Sequence, residues 1–170
     1  LVEVKGILCF GSYAMGFHDP YSDIDLYIFC EPEVPRSAAR LDTLQKVAGI
    51  ERMEIEHTAT GCDDQWASTN DRFWLGGLQF DLTYNRVDWL WTIVRKVKED
   101  GAISIPELRF RPYTMLGLLE NSVILYDPDS TLQEIMDKLL PYPLKLRQAL
   151  LTQNLPVMRE SLEELRNYTL

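Results

Sequence analysis

Three aspartates and one glycine–serine turn stand out for the chemistry they could do together. Asp23 and Asp25 are two positions apart in Asp23 to Cys30, a segment whose alternation of polar and apolar residues predicts a strand. Residues i and i+2 of a strand project from one face. The two carboxylates therefore converge, while Ile24, Leu26 and Ile28 point to the opposite, core-facing side. Paired carboxylates repel and raise a pKa unless a cation lies between them. Magnesium resolves that conflict, because it prefers oxygen ligands and often takes a few carboxylates together with substrate phosphates. Asp81 sits in the strongly strand-like run Leu78 to Tyr84, where Phe80 and Leu82 face the core and Asp81 faces away. A single carboxylate in so apolar a strand is costly to bury unless it is paired or metal-bound. If this strand lies beside Asp23 to Cys30, three carboxylates meet at one place. Such a set suits two divalent ions clamping an in-line phosphoryl displacement.

Gly11-Ser12 follows the apolar run Lys5 to Phe10. A glycine at the end of a buried strand lets the backbone turn sharply and approach a ligand closely. The N–H groups opening the next helix are unpaired and suit phosphate oxygens, and Ser12 adds a hydroxyl donor. Taken alone, a glycine–serine turn is usually only a turn, and an Asp-x-Asp pair is often no more than an exposed edge. Asp81 in its apolar strand is what shifts the balance.

Several elements must position these residues. Lys5 to Phe10 is predicted as a buried strand, Ser12 to Gly16 as a short helix and Phe17 to Ser22 as a loop of turn formers. After Asp23 to Cys30 and a loop with two prolines, Ser37 to Val47 has helical spacing, with Ser37 as N-cap. Arg52 to His57 alternates as a half-exposed strand, and Thr58 to Asp71 reads as a loop. Phe73 to Asn85 reads as two strands broken near Gly76-Gly77, and Val87 to Lys98 as a helix. The pattern then changes, which places a boundary near residue 103 and divides the chain into 1–103 and 104–170. Helices are expected over Pro106 to Glu120, Thr131 to Leu140, Pro143 to Thr152 and Leu155 to Tyr168, interrupted by the short apolar segment Ser122 to Tyr126. Tyr126 to Ser130 reads as a turn, with Ser130 capping the next helix.

Gly11-Ser12, Asp23-Ile24-Asp25-Leu26 and Asp81 within Phe80 to Thr83 together resemble the signature of the DNA polymerase beta-like nucleotidyltransferase superfamily. The segment GSYAMGFHDPYSDIDLYIF is similar to the smaller bacterial and archaeal members, including aminoglycoside- and lincosamide-type nucleotidyltransferases. The resemblance implies an α+β fold: a mixed β-sheet flanked by helices over 1–103 as the catalytic domain, then a small helical segment over 104–170. It implies a nucleoside triphosphate (ATP among the candidates) as co-substrate, with its phosphates at Gly11 and Ser12. Mg2+, as two ions, would be held by Asp23, Asp25 and Asp81. A hydroxyl of a small molecule or protein would attack the α-phosphorus and pyrophosphate would leave. The general base would be Asp81 or a carboxylate of the helical part. The loop departs from many relatives in carrying Met15 where a basic residue stands, with only His18 nearby.

Composition narrows the alternatives. The 170 residues are 46% hydrophobic and carry a net charge of −9, with a sequence pI near 4.7. So acidic a chain disfavours a grip on long nucleic acid. The basic run Arg95 to Lys98 precedes Glu99 and Asp100 and reads as a solvated helix face. No apolar run reaches the roughly 18 residues needed to span a bilayer, so no membrane partner is expected. Cys9, Cys30 and Cys62 are three in number and far apart, which argues against a zinc site or disulfides and fits a reducing cytoplasm. His18 and His57 are too far apart in sequence to suggest a metal site. Tyr13, Trp66, Trp74, Trp89 and Trp91 are expected to pack, with a substrate contact by Tyr13 beside the phosphate turn and a base stacked on Trp66 or Trp74 as the alternatives. Glu160, Glu163 and Glu164 read as a solvated helix face. The chain opens at Leu1 and stops within a helical pattern, so residues are expected beyond both ends, or a second subunit (a homodimer or a partner protein) completes the acceptor pocket. Two other readings stay open: a nucleotide-binding module without turnover, and an antitoxin-type enzyme that modifies a partner protein.

Overall fold

The computed structural model of the chain describes residues 2–56, 67–105 and 111–168, with side chains described as far as residue 162. His57, Cys62, Trp66, the first five residues of the helix expected from Pro106 and the side chains of Glu163 and Glu164 lie outside the described residues.

The alternating segments form a mixed six-stranded sheet. Its strands are β1 (Glu3–Phe10), β2 (Ile24–Glu31), β3 (Ile50–Ile55), β4 (Thr69–Leu75), β5 (Leu78–Arg86) and β6 (Val123–Tyr126). The order across the sheet is β3-β4-β5-β2-β1-β6. β2 and β5 run parallel, and every other neighbouring pair is antiparallel. A parallel pair needs a long crossover. Here it comprises helix α2 (Ser37–Leu44) and the β3–β4 pair.

Side-chain alternation divides the sheet into two faces. One carries Ile28, Cys30, Leu82, Tyr84 and Phe73, buried together with Leu44 of α2. The other carries Leu8, Tyr27 and Phe29 beneath α3 (Val87–Arg95), α4 (Tyr113–Glu120) and α5 (Thr131–Leu139). Leu90, Ile93, Leu116, Leu119, Leu132 and Ile135 pack there, all essentially without solvent exposure. This core draws on residues from both sides of residue 103, and β6 adds to the sheet beside β1.

Several local expectations are corrected. Ser37 does not cap α2: it is the first helical residue, after Arg36, and no side-chain cap forms. β4 starts at Thr69 rather than Phe73, inside the segment read as loop. Thr69 and Asp71 are buried, yet polar, so the inward positions carry no apolar signature. Both are satisfied by Arg40 of α2, whose Nε donates to Asp71 Oδ2 at 2.7 Å and whose Nη2 donates to Thr69 Oγ1 at 3.3 Å. The helix from Val87 changes to a π-helical turn over Lys96–Asp100 and ends at Gly101, with φ 64°. Within it Val97 is buried while Arg95, Lys96 and Lys98 face solvent.

Ser130 precedes α5 but provides no side-chain cap. It lies in the left-handed region, with φ 57°. Asp127 accepts from the backbone N–H groups of Leu132 and Gln133 at 3.1 and 3.0 Å instead. The two last helices are one, α6 (Leu144–Tyr168), which runs through Pro156. Pro156 has no N–H to give to the helical ladder and its ring crowds the carbonyl of Thr152 one turn earlier, so the helix is locally destabilised there although it continues on both sides.

Candidate active site

The parallel register of β2 and β5 sets Asp25 opposite Asp81. Continuing the row across the same face, Asp25 stands opposite Phe10 of β1, Asp81 opposite Arg72 of β4, and Arg72 opposite Glu54 of β3. One band of the sheet therefore reads Phe10, Asp25, Asp81, Arg72, Glu54. Along each strand the next inward residues, Tyr27 and Thr83, are already buried. The carboxylates thus sit where the helix-covered core gives way to an open cleft. That cleft has a volume of about 430 Å³ and is bordered by all five residues of the band together with Asn70.

Asp23 precedes β2 and comes from the loop after α1 (Gly11–Met15). Asp19 Oδ1 accepts from the Tyr21 N–H and the Ser22 hydroxyl, each at 2.9 Å, and Ser22 Oγ accepts from the Asp19 N–H at 2.9 Å. These bonds close a turn that ends at Ser22, the residue before Asp23. Gln79 Nε2 donates to Asp81 Oδ1 at 2.9 Å and lies 3.5 Å from Asp23 Oδ2. Asp23, Asp25 and Asp81 each offer a carboxylate oxygen, all within 4.8 Å of one another. A set of three oxygens so close fits a hard divalent cation.

The electrostatics point the same way. Asp25 is pushed up to about 6, first by burial and then by the charges of Asp23 and Asp81. Among the described residues no basic side chain pairs with that carboxyl, so burial and its acidic neighbours disfavour the ionised form.

Gly11 plays a more specific part than its sequence context implies. Its φ is +72°, in the left-handed region, and a Cβ built there would overlap Asp25 Oδ2. The glycine makes room for the carboxylate as well as for the turn. Ser12 follows in α1, half-buried. Tyr13 stacks on His18 with ring centroids 4.2 Å apart and planes 9° from parallel. Trp74 packs beneath Arg52, whose guanidinium carbon is 4.6 Å from the ring centroid. Trp89 is buried in the helical core, and Lys138 Nζ lies over Trp91 at 4.6 Å.

Sequence reasoning missed Arg72, Gln79 and Glu54. Arg72 Nε donates to Asp81 Oδ1 at 2.7 Å and Nη2 to Asp81 Oδ2 at 3.1 Å. The Gly76-Gly77 turn held the signal. A two-residue hairpin loop pairs Leu75 with Leu78, and counting back three residues on each side sets Arg72 opposite Asp81.

The family model described as a nucleotidyltransferase domain matches residues 1–86. Among solved structures, the chain is similar to terminal uridylyl transferase 4 from Trypanosoma brucei with bound GTP. The identity is 16%, the match covers 79% of this chain and 56% of that chain, and the TM-score is 0.26, too low to carry a functional conclusion. No curated protein matches the chain. No helix among the described residues is long and apolar enough to cross a membrane.

Proposed function

The chain belongs to the nucleotidyltransferase domain family, and from that premise we propose that it transfers a nucleoside monophosphate from a nucleoside triphosphate to a hydroxyl of a small molecule or protein. One observation supports this above the rest: Asp23, Asp25 and Asp81 each offer a carboxylate oxygen within 4.8 Å of the others, and Asp25 and Asp81 border a cleft. Asp23, Asp25 and Asp81 are the residues that would hold magnesium. When bound, magnesium neutralises phosphate charge and lowers the cost of bringing a nucleophile to a polyanion.

The chain's own residues have distinct tasks. The Gly11-Ser12 turn receives triphosphate oxygens through backbone N–H groups and the Ser12 hydroxyl. Gly11 keeps the Asp25 carboxylate close to that turn. The acceptor oxygen forms a bond to the α-phosphorus as the bond to the bridging oxygen breaks, and pyrophosphate carries away that electron pair. The acceptor's proton passes to a carboxylate oxygen of Asp81, which borders the cleft. Placement of the two reactants supplies much of the rate.

Labelling tests this reading. The protein is incubated with each α-labelled triphosphate, magnesium and a cell extract separated into small molecules and proteins. Label in one fraction, with pyrophosphate released and both lost in Asp25→Asn, supports transfer and names the acceptor class. A full set of triphosphates that yields neither label nor pyrophosphate contradicts turnover.

A further inference from the structure

We propose that Arg72 is an exchangeable counter-ion, which occupies Asp81 when no divalent cation is bound and passes to Glu54 when one arrives. The inference rests on the metal-binding reading of the three aspartates and adds a residue outside that set.

Both oxygens of Asp81 accept from the Arg72 fork, at 2.7 and 3.1 Å. Gln79 takes a further site on Oδ1. A carboxylate has about four lone-pair positions, so a cation approaching Asp81 competes with a guanidinium already seated in bidentate geometry. The two positive charges also repel. Arg72 has somewhere to go. Glu54 stands opposite it on β3, with Oε2 3.6 Å from Nη1. The other Glu54 oxygen, Oε1, accepts from Arg52 Nη2, which holds the carboxylate on the same side of the strand. The Arg72 side chain is 44% exposed, so its head can move between the two carboxylates without disturbing the core. The row Asp81, Arg72, Glu54 across β5, β4 and β3 thus gives one cation two stations.

Manganese titrations of the full chain without nucleotide, followed by electron paramagnetic resonance, test the exchange. Removing the competitor in Arg72→Gln tightens manganese binding by about tenfold. Glu54→Gln removes the receiving station and weakens binding by roughly threefold while Arg72 is present. In the Arg72→Gln background the same Glu54→Gln change has no effect, because Glu54 acts through Arg72. Equal weakening by Glu54→Gln in both backgrounds would mean a simple through-space field and overturn the exchange. Binding by Arg72→Gln no tighter than by the parent would overturn it too, while leaving the metal site intact. Manganese binding that is absent from both, or indifferent to Asp25→Asn, would remove the metal-binding reading and the exchange together.

Discussion

Gly11 and Asp25 are locked together: the space that a side chain would fill at Gly11 is taken by the Asp25 carboxylate, and the Gly11 backbone is left-handed. The turn after β1 and the carboxylate on β2 are therefore one structural unit, although fourteen positions apart. Gly11→Ala is expected to cost about 1–2 kcal/mol in stability from the backbone conformation alone. Because the added methyl also displaces Asp25, catalysis is expected to fall by roughly 10²-fold. Chemical denaturation and turnover measured on the same preparation check the two effects separately.

Asp25 is expected to make the stability of the metal-free protein depend on pH. Its carboxyl is raised from 3.8 to about 6 by burial and by the charges of Asp23 and Asp81. The folded state consequently holds this proton more tightly than the unfolded chain does. Asp25 contributes no penalty below its ordinary value, and a growing one as pH rises through the interval up to about 6. The difference in stability between Asp25→Asn and the parent should widen in favour of the variant across that interval and stay constant above it. Denaturant midpoints measured in chelator at successive pH values give the result. A difference that is flat or of opposite slope contradicts the account.

Arg40 anchors the strand that bears Arg72. The ion pair with Asp71 has both side chains essentially fully buried. Arg40 also donates to the carbonyl oxygens of Pro35 and Glu56, at 2.6 and 2.7 Å. Arg40→Ala leaves the Asp71 charge buried without its partner and is expected to cost about 3–5 kcal/mol. The equilibrium unfolding midpoint measures this.

The start of α5 offers a paired test. Asp127→Ala removes the acceptor for two backbone N–H groups and is expected to cost about 1 kcal/mol. Ser130→Gly relieves a left-handed serine and is expected to stabilise by roughly 1 kcal/mol. Thermal unfolding of the two variants should shift in opposite directions.

The sequence makes some of this architecture readable and hides the rest for identifiable reasons. The alternation around Asp25 and Asp81 shows which side each carboxylate takes, because Leu26, Ile28, Phe80 and Leu82 are apolar and face the other way. The spacing also implies the meeting of the three aspartates, once β2 and β5 are taken as neighbours. The beginning of β4 is hidden, because its inward residues are Thr69 and Asp71, and their partner Arg40 is remote in sequence. The cap of α5 is misread for a different reason. Ser130 occupies the expected position but the wrong backbone region, and Asp127 reaches over from three residues earlier. Arg72 is overlooked although the hairpin register makes its place opposite Asp81 derivable. β6 could not be assigned to the sheet from four apolar residues alone, since its pairing with β1 is long-range.

Metal-dependent binding of triphosphate at the three aspartates is tested by calorimetric titration of ATP, GTP, CTP and UTP into the parent and into Asp23→Ala/Asp25→Ala, each with magnesium and with chelator. The parent is expected to bind at least one triphosphate only with magnesium, and the double variant, still folded, to lose that binding. Binding by the parent that is indifferent to magnesium, or binding fully retained by the double variant, would contradict it.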